Sequence, residues 1–264
     1  MRVETSTREG IAVLTLADPP ANAYSYEMMR ELDVAILDAR MNRSVHAIVI
    51  TGAGEKFFCA GANIGMLKDA EPTFKYYFCL HANETLNRLE QTPKLVIAAL
   101  NGHAVGGGLE IALAADLRIA RRDAGKIGLP EVSLGVLPGT GGTQRLARLV
   151  GKARAIELMI TGRLMSMDEA AAMGLVTEVW DDDRLARRPF LDAVVEYAAQ
   201  FAPPHHASLA VGRIKRAVQS GLEAAFTEGL AIERELQQLL FESADAREGL
   251  AAHVEKRKPR FSGE

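Results

Sequence analysis

Three glycine-dense loops carry most of the residues in this sequence that could do chemistry. They span residues 57–63, 101–110 and 128–131, the last continuing at 138–145. Glycine permits positive φ angles and lets a ligand approach backbone N–H groups closely. N–H groups from two loops, aimed at one point, would form an oxyanion hole that stabilises negative charge on an oxygen. The alternative is that these glycines serve only tight packing between strands and helices.

Two glutamates accompany these loops. Glu110 closes the second loop, and Glu131 follows Pro130 in the third. Taken alone, each has an ordinary explanation: Glu110 would favour the dipole in the first turn of a helix, and Glu131 could be a solvated loop carboxylate. The combination of carboxyl groups and glycine loops favours a catalytic site over packing alone.

The elements that must position these loops alternate between strands and helices, which predicts an α/β body of about 200 residues with βαβ units. After Gly151 the chain becomes mostly helical. Strands are predicted within 2–16 about a turn at 8–10, and over 45–51, 95–100, 117–120 and 175–179. Helices are predicted after Ser25, over 73–90, up to Ala115, and over 152–161, 168–173, 183–201, 207–219, 222–240 and 244–257.

The amino-acid composition limits the class of protein to which this chain can belong. The 264 residues are 48% hydrophobic and 25% charged, which excludes disorder and collagen-like repeats. A net charge of −3 argues against broad nucleic-acid binding. Two cysteines provide neither a disulfide framework nor a four-cysteine zinc site, which fits a reducing compartment. Residues 1–10 lack a signal-peptide core, and the longest apolar run, 95–100, is far below the roughly 20 residues of a membrane span. We therefore expect a cytoplasmic protein with no membrane partner.

Several standard motifs are missing. Gly151-Lys152 is followed by Ala153 and not by the serine or threonine that a phosphate-binding loop requires. The dinucleotide-binding motif G-x-G-x-x-G does not follow the first strand. The nucleophile elbow G-x-S-x-G and the zinc motif H-E-x-x-H are also absent. The absence of these motifs argues against nucleotide hydrolysis, hydride transfer and zinc chemistry.

The chain resembles the enoyl-CoA hydratase/isomerase family, also called the crotonase family, over nearly its whole length. The likeness lies in residues 60–63, 94–110, 129–146, 161–163, 170–176 and 248–259. It implies an α/β fold built as a crotonase-like spiral of ββα units, with a helical C-terminal trimerisation region. The implied division is a core with the CoA-thioester site over 1–200 and a helical region over 201–264.

The resemblance also implies roles for individual residues. The backbone N–H groups of Ala60 and Gly107 would form the oxyanion hole. Glu110 would act as the base towards water and Glu131 as the acid towards the Cα carbon of the substrate. The implied CoA and substrate contacts are Ala60, Gly61, Ala62, Asn63, Gly107 and Lys256.

The implied reaction is the addition of water across the double bond of a trans-2-enoyl-CoA. Family isomerases generally retain only one of the two glutamates, so the pair favours hydration. An enoyl-CoA isomerase or another crotonase-fold lyase or hydrolase remains an alternative, as does an RNA-binding or scaffold protein. The resemblance implies no metal and no cofactor, since coenzyme A is part of the acyl-CoA substrate. It further implies a homotrimer or a homohexamer made of two trimers.

Overall fold

Two sheets organise the chain, and the computed structural model describes all 264 residues. The strands are β1 (Val3–Arg8), β2 (Ile11–Leu16), β3 (Ala47–Gly52), β4 (Phe57–Cys59), β5 (Leu95–Leu100), β6 (His103–Val105), β7 (Leu117–Arg121), β8 (Ile127–Gly128) and β9 (Glu178–Trp180). Six strands form one sheet in the order β1-β2-β3-β5-β7-β9, and three form another in the order β4-β6-β8. Only the β1–β2 pair is antiparallel.

Helices cover both faces of the larger sheet. They are α1 (Tyr26–Met41), α2 (Ile64–Asp69), α3 (Pro72–Glu90), α4 (Gly107–Leu113), α5 (Gly142–Val150), α6 (Lys152–Thr161), α7 (Met167–Ala172), α8 (Asp182–Leu185), α9 (Phe190–Ala199), α10 (Ser208–Glu223), α11 (Phe226–Phe241) and α12 (Ala244–Glu255). No helix is long and apolar enough to cross a membrane.

The apolar runs of the central strands follow from this double cover. Along β2, Ala12 and Leu14 join the core on the α1 and α3 side, whereas Ile11 and Val13 pack with α9 on the other side. Because successive strand residues point to opposite faces, a strand covered on both faces must be apolar throughout. The sequence prediction of strands at 45–51 and 95–100 is confirmed by β3 and β5, with β3 displaced towards Gly52.

The smaller sheet does not follow from the sequence pattern. Its strands β4, β6 and β8 are only two or three residues long and lie inside the segments interpreted as glycine loops. All three run parallel, so their carboxyl ends meet at one edge. The three glycine loops leave the sheet at that edge, so their residues come together there.

Two boundaries in the C-terminal half differ from the prediction. The strand expected over 175–179 is β9, which begins only at Glu178, because the N–H groups of Leu175 and Val176 both donate to the Ala170 carbonyl in α7. The helix expected over 183–201 is broken into α8 and α9. Ala186 and Arg187 have positive φ angles there, a conformation that ends a helix. The remaining C-terminal helices occur within a few residues of their predicted ranges.

Candidate active site

The three loops touch one another at the edge of the smaller sheet. A Cβ placed on Gly61 would lie 3.1 Å from the backbone nitrogen of Gly107, so the first and second loops are in contact. A Cβ on Gly106 would lie 2.9 Å from Glu131 Oε1, so the third loop closes on the second. The positive φ of +90° at Gly61 is one that side-chain-bearing residues rarely adopt. These contacts bring the predicted residues of all three loops into one region.

Glu110 is buried and held by three donors. It lies in the first turn of α4 with only 2% of its surface exposed. Its Oε1 accepts hydrogen bonds from the backbone N–H groups of Thr140 (2.8 Å) and Gly142 (2.7 Å), and its Oε2 accepts one from the Thr140 hydroxyl. Burial raises the pKa of Glu110 above its usual value, although these donors and the positive charge of Arg145 offset part of that rise. The donors thus favour the ionised carboxylate.

Glu131 differs from Glu110 in its hydrogen bonding. It begins a 3₁₀ turn after Pro130, and its Oε2 is buried without a hydrogen-bond partner. Burial raises the pKa of Glu131 to about 7, and the negative charge of Glu110 acts in the same direction. The two residues adjoin at Gly106, whose Cβ position lies 2.9 Å from Glu131 Oε1 and whose carbonyl accepts the Glu110 N–H at 3.2 Å. Glu110 is therefore fixed as a hydrogen-bond acceptor. Glu131 is in part protonated near pH 7.

The backbone donors differ from the prediction in one position. The Ala60 N–H donates to the Ala21 carbonyl (3.1 Å), so it is not available to a ligand. Ala62 pairs with Tyr24 as a parallel bridge, in which Tyr24 N–H donates to Gly61 and Asn63 N–H donates to Tyr24, both at 2.9 Å. This pattern leaves the N–H of Ala62 itself without a hydrogen bond in the chain. The structure thus argues against Ala60 as the donor and in favour of Ala62.

Gly107 is the second backbone donor that the resemblance implies. It is the first residue of α4, where a helix offers its N–H groups no intrahelical acceptor and carries partial positive charge. A Cβ on Gly107 would lie 2.2 Å from the Tyr24 hydroxyl oxygen, so a side chain cannot be added without displacement. A free N–H at Gly107 beside that of Ala62 matches what an oxyanion hole requires.

Two predicted binding residues have other or unproven roles. The Asn63 side chain caps α2, since its Oδ1 accepts the Met66 N–H at 3.0 Å. Lys256 follows α12 as its C-cap residue in a left-handed conformation, and it is exposed. Its predicted contact with CoA phosphate stays a prediction.

The sequence interpretation missed Thr140 and Tyr24. Thr140 lies in the third glycine loop, and its hydroxyl between Gly139 and Gly141 was the available signal. Tyr24 has no such signal, because its hydroxyl reaches Thr140 across a separation of 116 residues. With these two residues included, the site holds one carboxylate with three hydrogen-bond donors, a second carboxyl group with an unpartnered oxygen, and the backbone N–H groups of Ala62 and Gly107.

Comparison with known proteins identifies the family of the chain. Residues 6–264 match the family model described as enoyl-CoA hydratase/isomerase. The short-chain-enoyl-CoA hydratase of Clostridium acetobutylicum is 39% identical over 253 residues, covering 95% of this chain and 94% of that protein. The crotonyl-CoA hydratase of Syntrophomonas wolfei is 37% identical, covering 96% of this chain and 95% of that protein.

Solved structures agree with the fold prediction. A crystal structure from Geobacillus kaustophilus, described as "Enoyl-CoA hydrates", superposes with a TM-score of 0.95 at 44% identity, covering 100% of this chain and 97% of that one. An enoyl-CoA hydratase from Bacillus anthracis gives a TM-score of 0.92 at 34% identity, with 100% of both chains covered. The predicted crotonase-like α/β fold is confirmed. This chain is an enzyme of the enoyl-CoA hydratase/isomerase, or crotonase, family.

Proposed function

We propose that this enzyme is an enoyl-CoA hydratase, which adds water across the double bond of a trans-2-enoyl-CoA. One observation carries the proposal: Glu110 is anchored as an acceptor, while Glu131 on the adjoining loop has a buried Oε2 without a hydrogen-bond partner and a pKa of about 7. Hydration needs one proton taken and one given, so a pair of carboxyl groups suits it when donors support the ionised form of one and burial supports the neutral form of the other. The names of the relatives, which include hydratases of short-chain enoyl-CoA and crotonyl-CoA, agree with this choice.

In this proposal the thioester oxygen accepts hydrogen bonds from the N–H groups of Ala62 and Gly107. As the water oxygen bonds to Cβ, ionised Glu110 takes one water proton, and the π electrons move towards the thioester as an enolate. Neutral Glu131 then gives its proton to Cα, which restores the carbonyl. One amide donor of this kind contributes about 2.7–4 kcal/mol in the transition state. A proton exchange between the two glutamates returns them to their starting states.

The proposal needs only water and the acyl-CoA as reactants, with no metal and no separate cofactor. We further propose assembly into a homotrimer, or two paired trimers, through the C-terminal helices. Apolar side chains exposed on these helices, among them Leu222, Phe226 and Val254 at about 80%, support an interface there. Light scattering of the purified protein would measure the mass of the assembly.

The hydration test uses purified protein with crotonyl-CoA and longer enoyl-CoAs. We expect loss of the conjugated thioester absorbance and a product heavier by one water. Glu131→Gln should lower kcat by about 10²–10⁴-fold, as expected for the loss of a general acid. Glu84→Gln is the matched control, because Glu84 is exposed on α3.

Two results would overturn the assignment. A product of unchanged mass with a moved double bond would make the enzyme an isomerase. Near-normal turnover of Glu131→Gln would remove Glu131 from its role as the acid.

A further inference from the structure

Tyr24 contacts all three parts of the candidate site. Its backbone pairs with the first loop on either side of Ala62. Its ring occupies the space that a side chain on Gly107 would need, with Cε1 2.6 Å and Cζ 2.7 Å from the Cβ position. Its hydroxyl oxygen lies 3.4 Å from the Oγ1 of Thr140, which in turn donates to Glu110. One residue from outside the glycine loops thus touches both amide-bearing loops and the support of the carboxylate.

The ring of Tyr24 is explained by packing, but its buried hydroxyl group needs a separate explanation. Tyr24 is 2% exposed and packs against Phe78, with ring centroids 5.8 Å apart. A phenylalanine would fill the same volume without the cost of burying a polar group. The one hydrogen-bond partner within reach of this hydroxyl is Thr140 Oγ1.

The direction of the hydrogen bonds follows from counting protons. The Thr140 hydroxyl has a single proton, and that proton goes to Glu110 Oε2. Thr140 Oγ1 is therefore free only to accept, so the Tyr24 hydroxyl is the donor in this pair. A donor that polarises a second donor strengthens the bond that the second one makes.

We infer that Tyr24 is a positioning residue for Glu110: its hydroxyl acts through Thr140 to hold the Glu110 carboxylate ionised and oriented. This role rests on the proposed function of Glu110 as the base. The titratable groups around the Tyr24 hydroxyl are Glu110, Cys59 and Cys79, and Arg145 faces Glu110 from α5. Burial raises the pKa of Tyr24 well above its usual range, so the phenol remains a donor throughout the working pH range.

The test is Tyr24→Phe, which removes only the hydroxyl and retains the ring. We expect kcat to fall by about three- to ten-fold, the effect of one lost hydrogen bond, with KM nearly unchanged. The acid limb of the pH profile of kcat/KM should move to higher pH, because the carboxylate loses support for its ionised form. The control is Tyr197→Phe, since Tyr197 packs on α9 in the core on the opposite face of the larger sheet.

A double variant identifies the route of the effect. If Tyr24 acts through Thr140, Tyr24→Phe should have little further effect in a Thr140→Val background. Full additivity of the two substitutions would overturn the route. A rise in KM with unchanged kcat would instead make Tyr24 a binding residue and would overturn the positioning role.

A readout without turnover separates this inference from the proposed function. The pKa of Glu110 can be followed by NMR of isotope-labelled glutamate in the wild type and in both tyrosine variants. We expect it to rise in Tyr24→Phe and to stay constant in Tyr197→Phe. An unchanged Glu110 pKa in Tyr24→Phe overturns the inference, whereas a wild type that fails to hydrate any enoyl-CoA overturns only the proposed function.

Discussion

The Glu110 carboxylate lies 2.7 Å from the N–H of Gly142, the first residue of α5. No side chain of α5 or its N-cap residue Gly141 caps this helix, so Glu110 performs that task from α4. The partial positive charge at a helix N-terminus favours a carboxylate, which supports the ionised state needed for a base. The same contact ties the proposed base to the position of the third loop.

Replacing Gly142 with alanine should therefore damage catalysis. The new Cβ would lie 2.9 Å from Glu110 Oε1 and 2.8 Å from the Cβ of Pro138, so one of them must move. A displacement of about 1 Å in a catalytic group costs on the order of 10²-fold, so we expect kcat to fall by at least about ten-fold. Steady-state hydration kinetics measure this. Gly249→Ala in α12 is the control, because its Cβ meets Phe261 at an ordinary 3.4 Å. Equal activity of the two variants would contradict the proposed placement of Glu110.

The activity should decline as the pH rises through about 7. Burial raises the pKa of Glu131 to about 7, and an acid must be protonated to give its proton to Cα. Above that pH, kcat/KM should fall about ten-fold for each pH unit, because the neutral fraction falls by that factor. A pH profile of kcat/KM between about pH 5 and about pH 9 measures the limb. If activity rose through this range instead, Glu131 would be acting as a base.

Glu131→Gln should be more stable than the wild type in alkaline solution. In the folded protein the pKa of Glu131 is raised from 4.5 to about 7, so the folded state binds the proton more tightly than the unfolded chain. The wild type therefore loses stability as the pH rises from about 4.5 to about 7. Glutamine never ionises, so the variant avoids this loss. Since the group is partly exposed, we expect a gain on the order of 1 kcal/mol in the free energy of unfolding at about pH 8.

Urea unfolding at about pH 8 and about pH 4 tests this difference. The two proteins should approach equal pH dependence at the lower pH, where the wild-type carboxyl group is neutral in both states. A stability difference that does not change with pH would show that Glu131 is not the source.

The sequence could predict the long elements because their patterns repeat. The apolar stripe of α1, with six residues from Met28 to Ala39, is buried as its helical spacing indicates, and Ser25 caps that helix. The three-residue strand β4 could not be predicted, because such a segment is shorter than any useful period. The sequence also could not decide whether Ala60 or Ala62 is the backbone donor. It depends on which distant carbonyl each N–H meets, and the partner of Ala60 lies in another loop, at Ala21.

The C-terminal helical region should depend on one buried ion pair. Lys215 Nζ in α10 lies 2.8 Å from Asp116 Oδ2, with side-chain exposures of 6% and 15%, and it also donates to the Lys94 carbonyl. Asp116 in turn accepts the Val96 N–H at 2.7 Å, so the pair joins α10 to β5. Lys215→Met would leave a buried carboxylate without its counter-charge. We expect it to lower the free energy of unfolding by about 3–5 kcal/mol, measured by urea unfolding.

The control for this variant is Arg148→Met. Arg148 pairs with Glu223 on the surface, where both side chains are more than half exposed, so its loss should cost at most about 1 kcal/mol. Adding Asp116→Asn to Lys215→Met should cost less than the sum of the two single changes, because the carboxylate charge that lacks a partner is then removed. If Lys215→Met were no more harmful than Arg148→Met, α10 would be held by its apolar contacts alone.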